Sequence, residues 1–217
     1  MKIALIGATG FVGTAILNEA LTRGHQVTGI ARHPEKIKRV DENLRLEQGD
    51  VQDTEQLSMQ LKGHDVVISA YNPGWNNPEI YKAYLDGARA VQKAVKDSGV
   101  RRFIVIGGAG SLFIAPNLQL VDSPEFPDDW KAGATAARDY LSIIRDERAL
   151  EWTFVSPAIE MNQGSPHGRK GAYRTDTDRP VFDADNHSFI TVEDLAVAVV
   201  DEAETPRYIR RRFTVGY

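Results

Sequence analysis

The residues best placed to do chemistry stand near the start of the chain, in the stretch "ALIGATGFVGTAIL" from Ala4 to Leu17. Gly7, Gly10 and Gly13 recur at three-residue intervals between an apolar run and a helical pattern. Spaced glycines alone describe only a tight turn. They become a phosphate cradle when a strand precedes them, a helix follows, and a second strand completes a βαβ unit. "KIALI" supplies the first strand, Phe11 to Arg23 the helix, and "QVTGIA" the next strand. Gly7 then permits the turn, Gly10 the approach of backbone to a pyrophosphate, and Gly13 close packing of helix on sheet. Ala8, Thr9, Phe11 and Val12 complete the loop. Its helix N-terminus offers free N–H donors and the positive end of a dipole.

The elements that must position this loop are legible along the chain. "LRLEQ", "DVVISA", "RFIVIG" and "WTFVSP" continue the apolar, β-branched runs, with helical spacing over Thr54 to Lys62 and Ile80 to Ser98. Strands alternating with helices imply a parallel sheet covered on both faces, an α/β doubly wound Rossmann fold. We expect one domain over residues 1–217, with a nucleotide-binding half (1–110) and a second half carrying acceptor-site loops (111–217). That second half is less regular. Gly107 to Trp130, with three prolines, reads as a long loop of the kind often used for binding. A helix follows around Ala132 to Arg148, then an irregular segment from Met161 to Asp178. Thr191 and Asp194 open a capped helix in "TVEDLAVAVVDEAE", and "RRFTVGY" closes as a strand.

Composition narrows the functions available. With 26 Lys and Arg against 30 Asp and Glu, the net charge of −4 supplies no general field for nucleic acid or an anionic membrane. The run Arg210 to Arg212 reads as a solvated strand edge. There is no cysteine, which excludes disulfides, thiolate metal sites and a cysteine nucleophile. The five histidines lack metal-ligand spacing. No apolar stretch is long enough for a membrane span, and the N-terminal one is too short for a signal peptide. The expectation is a cytoplasmic monomer or homodimer acting on a small molecule, with no metal, nucleic acid or membrane partner.

The glycine spacing G-x-x-G-x-x-G, with "ARHPEK", "GDV", "VISA", "GGAGSL", "TFVSPA", "ITVED" and "RRFTVGY" in order, resembles atypical short-chain dehydrogenases over nearly the whole chain. The resemblance is to the NAD(P)H-binding group provisionally described as NADH–flavin reductases, near biliverdin-reductase-B-like and NmrA-like proteins. Many such proteins bear epimerase or dehydratase names that reflect fold. The resemblance implies that Asp50 and Val51 border an adenine, with a plain turn as the other reading of Asp50. It implies that Ser69, Ala70 and Tyr71 approach the nicotinamide-side ribose, and Ser156, Pro157 and Ala158 the nicotinamide. Cofactor choice is read from the end of the second strand, where NAD-selective sites usually place an acid. Here stands Ala31-Arg32-His33, with no acid between His25 and Pro34. Arg32, with Lys36 nearby, suits a 2′-phosphate, so NADP(H) is expected over NAD(H).

Typical relatives carry a Tyr-x-x-x-Lys pair, and this chain has none: the residues four after its tyrosines are Trp75, Leu85, Ala88, Ile144, Thr177 and Arg212, and Tyr217 is last. Hydride addition to a ketone leaves a basic alkoxide that needs a placed acid. Hydride addition to a flavin or quinone leaves a delocalised anion that water can protonate. The expected activity is therefore hydride transfer from NADPH to a flavin, quinone or similar conjugated acceptor, any flavin being a substrate rather than a resident group. Trp75 could stack on such an acceptor or be an ordinary packed tryptophan. Ser111 could orient the acceptor or satisfy a turn. Leu112, Phe113 and Ile114 give an apolar wall or a hydrophobic tuck, and Tyr173 and Arg174 could reach over the site. Two rivals stand beside this reading: a non-catalytic NADP(H)-sensing regulator, and a sugar-nucleotide epimerase or dehydratase, whose usual members are longer and keep the Tyr-Lys pair.

Overall fold

The structure is a computed structural model and describes residues 1–217. In chain order its strands are β1 (Lys2–Ile6), β2 (Gln26–Ala31), β3 (Leu44–Gln48), β4 (Val66–Ser69), β5 (Arg102–Ile106), β6 (Phe113–Ala115), β7 (Leu118–Gln119), β8 (Glu151–Ser156), β9 (Arg174–Asp176) and β10 (Arg211–Gly216). Its helices are α1 (Phe11–Thr22), α2 (Thr54–Leu61), α3 (Ile80–Ser98), α4 (Asp128–Ile144) and α5 (Val192–Glu204). Eight strands form one sheet in the order β3-β2-β1-β4-β5-β8-β10-β9, parallel except for β9. The chain winds outward from β1 in both directions, so strand order reverses between β1 and β4. In such sheets the crevice beyond the carboxyl ends at the reversal is where ligands bind.

Alternation along the strands builds two cores. Ile3 and Leu5 of β1 join Val66, Ile68 and Ile104 beneath α1 and α5, while Ala4 and Ile6 join Val67, Phe103 and Val105 beneath α2, α3 and α4. A parallel strand buried on both faces reads as a continuous apolar run, which is why "KIALI" and "VVIS" show no polar alternation. The Thr191 hydroxyl accepts from the Asp194 N–H at the start of α5, as the capping pattern predicts. Gly99, with φ +82°, ends α3 in the left-handed conformation.

The second half departs from expectation in three places. Gly107 to Trp130 contains two 3-10 turns, Ala109–Ser111 and Leu120–Asp122, and the small hairpin β6–β7. α4 starts at Asp128, four residues earlier than expected, behind Pro127. In the arginine run, Arg210 and Arg211 are exposed but Arg212 is buried. β10 is covered by β9, and the Arg212 guanidinium donates to both the carbonyl and Oγ of Ser111 and to Asp178.

Candidate cofactor cleft and acceptor site

The glycine loop separates what the fold needs from what it leaves open. Gly7 has φ +80°, and a Cβ there would stand 2.7 Å from the Ala70 carbonyl oxygen, because the turns after β1 and β4 meet at the sheet's reversal. Gly13 is buried, and its Cβ would stand 2.1 Å from the Gly7 carbonyl oxygen. Both glycines are therefore required by packing. Gly10 is different. It caps α1 at φ −79° and ψ 170°, backbone that any residue adopts. A Cβ there would meet only the Gly7 oxygen, at 3.3 Å. No side chain caps α1 and no acid stands in its first turn, which leaves its N–H groups and its dipole to an anion from outside.

That loop forms one wall of a cleft of about 1900 Å³. Pockets for drug-sized ligands run to about 1,000 Å³, so the cleft has room for a dinucleotide and a second molecule. Gly7, Thr9, Gly10, Phe11 and Val12 line it, as do Arg32, Asp50, Val51, Ala70, Tyr71, Pro157 and Ala158. Ala8 and Gly13 lie buried under the loop, and Ser69 and Ser156 are buried in their strands. The nucleotide-site candidates thus gather at one crevice along the carboxyl ends of β1, β2, β3, β4 and β8. The Arg32 guanidinium and the Lys36 ammonium make no ion pair, whereas His33 meets Glu35 at 3.2 Å. Asp50 accepts from the Gln52 N–H at 2.9 Å and lines the cleft as well. The Tyr71 hydroxyl donates to the Ala83 carbonyl, and burial raises its pKa against the opposing charge of Arg32.

The rest of the cleft wall is made by aromatic and small residues. α4 turns Trp130, Gly133, Ala134 and Ala137 toward it, a single helical stripe at steps of three and four. The half-exposed Trp75 lies across this stripe, close enough that a Cβ on Gly133 would come within 2.7 Å of its ring. Phe126, Glu160, Met161 and His187 continue the wall. Of the residues expected at the acceptor end, only Trp75 is there. The stripe on α4 had a signal in its helical spacing, which is complete only if the helix starts before Trp130.

The remaining candidates lie elsewhere. Ser111 is 1% exposed and its hydroxyl is taken by Arg212, so it faces the interior between the hairpin and β10. Leu112 is fully buried, and Phe113 begins β6, its N–H bonded to the Asp178 carbonyl. Tyr173 packs against the α1–α5 core and donates to Asp201 at 2.6 Å. Arg174 sits on β9, where it donates to the carbonyls of Phe182 and Tyr217. Pairing of β9 with β10 draws Tyr173 and Arg174 to the far edge of the sheet. The segment from Met161 to Pro166 lines the cleft in their place, and the ring of His167 just beyond it lies 6.3 Å from that of Phe11, edge to face.

The family model for NAD(P)H-binding proteins matches residues 7–206 of the chain. The chain belongs to this NAD(P)H-binding family. The match runs from the first glycine of the cradle to the residues just after α5. Among similar proteins, the uncharacterized YwnB of Bacillus subtilis is 35% identical over 99% of this chain and 98% of its own. A solved structure from Bacteroides thetaiotaomicron, provisionally named an epimerase, is 45% identical with a TM-score of 0.92, covering 100% of this chain and 96% of that one. Another from Streptococcus pneumoniae, provisionally named an NADH-flavin reductase, is 32% identical with a TM-score of 0.85, covering 100% and 99%. These likenesses support an atypical short-chain dehydrogenase with a Rossmann fold. No helix is long and apolar enough to cross a membrane.

Proposed function

We propose that this NAD(P)H-binding protein is an NADPH-dependent oxidoreductase that passes hydride to a flavin, quinone or similar conjugated acceptor. The observation that carries the reading is Gly10: a Cβ there would meet only the Gly7 oxygen, at 3.3 Å, whereas close approach of a pyrophosphate would favour a glycine. The first-turn N–H groups of α1 would hold the pyrophosphate, and Arg32 with Lys36 the 2′-phosphate. Asp50 and Val51 would border the adenine, with Ala70, Tyr71, Pro157 and Ala158 toward the nicotinamide. Bound NADPH supplies the hydride.

The protein's part is to hold donor and acceptor against each other, which in a unimolecular arrangement accounts for much of the rate. The small stripe on α4 leaves space for a broad ring system, and Trp75 and Trp130 give it flat apolar surface. The name of the Streptococcus relative agrees with this acceptor class, and the epimerase name of the Bacteroides one points to the rival. The test is loss of reduced-nicotinamide absorbance against FMN, FAD, quinones, simple aldehydes and a nucleotide sugar. Turnover with flavins or quinones, faster with NADPH than NADH, is the expected result. Tight NADPH binding without turnover would replace this reading with a sensor.

A further inference from the structure

His187 lies 27 residues from Glu160 in the chain, yet both side chains line the acceptor end of the cleft. The His187 Nδ1 is 3.2 and 3.1 Å from the two carboxylate oxygens of Glu160. A carboxylate only accepts, so Nδ1 carries a proton and donates. Nε2 has no partner in the protein. Three backbone bonds fix the segments that carry the pair, and the ring itself is held by Glu160 alone. The His187 N–H donates to Asp183 at 2.8 Å, the Ser188 N–H donates to Glu160 at 3.0 Å, and the Glu160 N–H donates to the Ser188 carbonyl at 2.8 Å. The last two bonds fasten the His187 turn to the chain two residues beyond Ala158, at the carboxyl end of β8. The other charges near the ring are Asp183 on its own turn and, beside Asp183, Arg174 of β9.

Both side chains are exposed, so the pair itself stabilises little; its interest lies in its place on the cleft wall and in the orientation it gives the ring. A carboxylate that fixes one ring nitrogen and frees the other is the arrangement of an oriented general acid or base. We propose that His187 is the proton donor to the acceptor, with Glu160 as its positioning residue, and that the acceptor is therefore a quinone or conjugated carbonyl whose oxygen must be protonated. This rests on the hydride-transfer reading above and narrows its acceptor class.

The step balances as follows. The reduced nicotinamide gives a hydride, two electrons and one proton, to the acceptor. The electron pair displaced from the acceptor's π system moves onto its oxygen, and that oxygen takes the Nε2 proton of the imidazolium. Oxidised nicotinamide and a hydroquinone or reduced carbonyl remain, and His187 regains its proton from water. Water can protonate the adducts of a flavin and of a quinone alike. A placed donor matters more to the quinone or carbonyl, whose charge concentrates on oxygen, than to the flavin, whose charge spreads over its larger ring system. Placed acids contribute about 10²–10⁴-fold where an oxyanion forms.

The experiment is single-turnover NADPH oxidation by the full chain with menadione and, separately, FMN, in the parent, His187→Gln, His187→Ala and Glu160→Gln, each checked for folding by circular dichroism. Expected for His187→Gln is a loss with menadione that exceeds its loss with FMN by at least about tenfold. Added imidazole should restore part of the menadione rate to His187→Ala. Glu160→Gln should fall between parent and His187→Gln, and imidazole ¹⁵N spectra should show the Nδ1–H tautomer of His187 in the parent and its loss in Glu160→Gln. Equal losses with both acceptors and no imidazole rescue, or a His187→Gln rate matching the parent's, would overturn the assignment while leaving hydride transfer intact. A parent inert toward every acceptor would instead defeat the hydride-transfer reading itself, and the proton donor with it.

Discussion

Gly13 lies so close to Gly7 that a Cβ on it would stand 2.1 Å from the Gly7 carbonyl oxygen, whereas a Cβ on Gly10 would meet that same oxygen at 3.3 Å and nothing else. The two glycines should therefore fail in different ways. Gly13→Ala forces backbone apart inside a buried helix–sheet contact and should cost at least about 2 kcal/mol of stability, the scale of overpacking. Gly10→Val should fold and lose nucleotide binding, because its side chain would occupy the space we assign to the pyrophosphate. Thermal unfolding and calorimetric titration of both variants separate the two. A Gly10→Val protein that binds NADPH like the parent would remove the cradle.

The proposed choice of NADPH over NADH rests on Arg32. Its guanidinium has no partner within the protein and lines the cleft at the end of β2. A hydrogen bond to a charged group contributes about 1.5–3 kcal/mol, so Arg32→Ala should weaken NADPH roughly ten- to a hundredfold and NADH little. Titration with both nucleotides checks it, and equal losses would take Arg32 away from the 2′-phosphate.

The parts of the site legible in the sequence are those encoded locally. The glycine triplet, the strand before it and the helix after it occupy one short stretch, and burial on both faces writes β1, β4 and β5 as apolar runs. Arg32, Asp50, Tyr71 and Pro157 then follow from strand ends, since a parallel sheet brings its carboxyl ends together. The acceptor end was less legible for particular reasons. Pro127 followed by Asp128 and Asp129 is a helix-start signal; starting α4 four residues late left Trp130 in a loop and hid its stripe with Gly133, Ala134 and Ala137. Ser111 turns inward because Arg212, 101 residues away, takes its hydroxyl. The Glu160–His187 pair joins two irregular segments, where no periodicity points to a partner. Tyr173 and Arg174 went astray because an antiparallel edge strand in an irregular stretch is three residues long.

Glu147, just after α4, gives the fold a measurable pH dependence. Burial alone would raise its pKa, but hydrogen bonds from Lys96, the Ala149 N–H and Gln92 outweigh it and hold the carboxyl at about 2. The carboxylate is 6% exposed and meets Lys96 at 3.0 Å. Its folded pKa lies below the ordinary 4.5, so its stabilisation is complete above that value and is lost as pH falls toward 2. The depression corresponds to roughly 3 kcal/mol at neutral pH. Urea unfolding of the parent and Glu147→Gln should differ by an amount of that order near neutrality, and by progressively less below about pH 4. A difference that stays constant across that range would show that the charge is not what stabilises.

The tyrosines complete the argument about the proton. Tyr140 is fully buried and its hydroxyl donates to Gln92 at 3.2 Å; burial pushes its ionisation well above the ordinary range. Tyr173 stands at the far edge with its hydroxyl on Asp201, and burial together with that carboxylate raises its pKa too. Tyr71 alone of the three lines the cleft, yet it spends its hydroxyl proton on the Ala83 carbonyl at 3.0 Å, with its ring wedged against Gly87. Each is a donor already committed to the protein, and a group held in that way is poorly disposed to protonate a substrate. Replacing Tyr71, Tyr140 or Tyr173 by Phe should each slow hydride transfer by less than about tenfold, against the 10²–10⁴-fold of a true general acid. Ser111→Ala should likewise act on stability rather than rate, since it strips one acceptor from the buried Arg212 guanidinium. Single-turnover NADPH oxidation with a saturating acceptor is the measurement, with NADPH affinity determined on each variant. A thousandfold loss at Tyr71, in a folded protein that still binds NADPH, would return the acid to the β4 loop and make His187 a bystander.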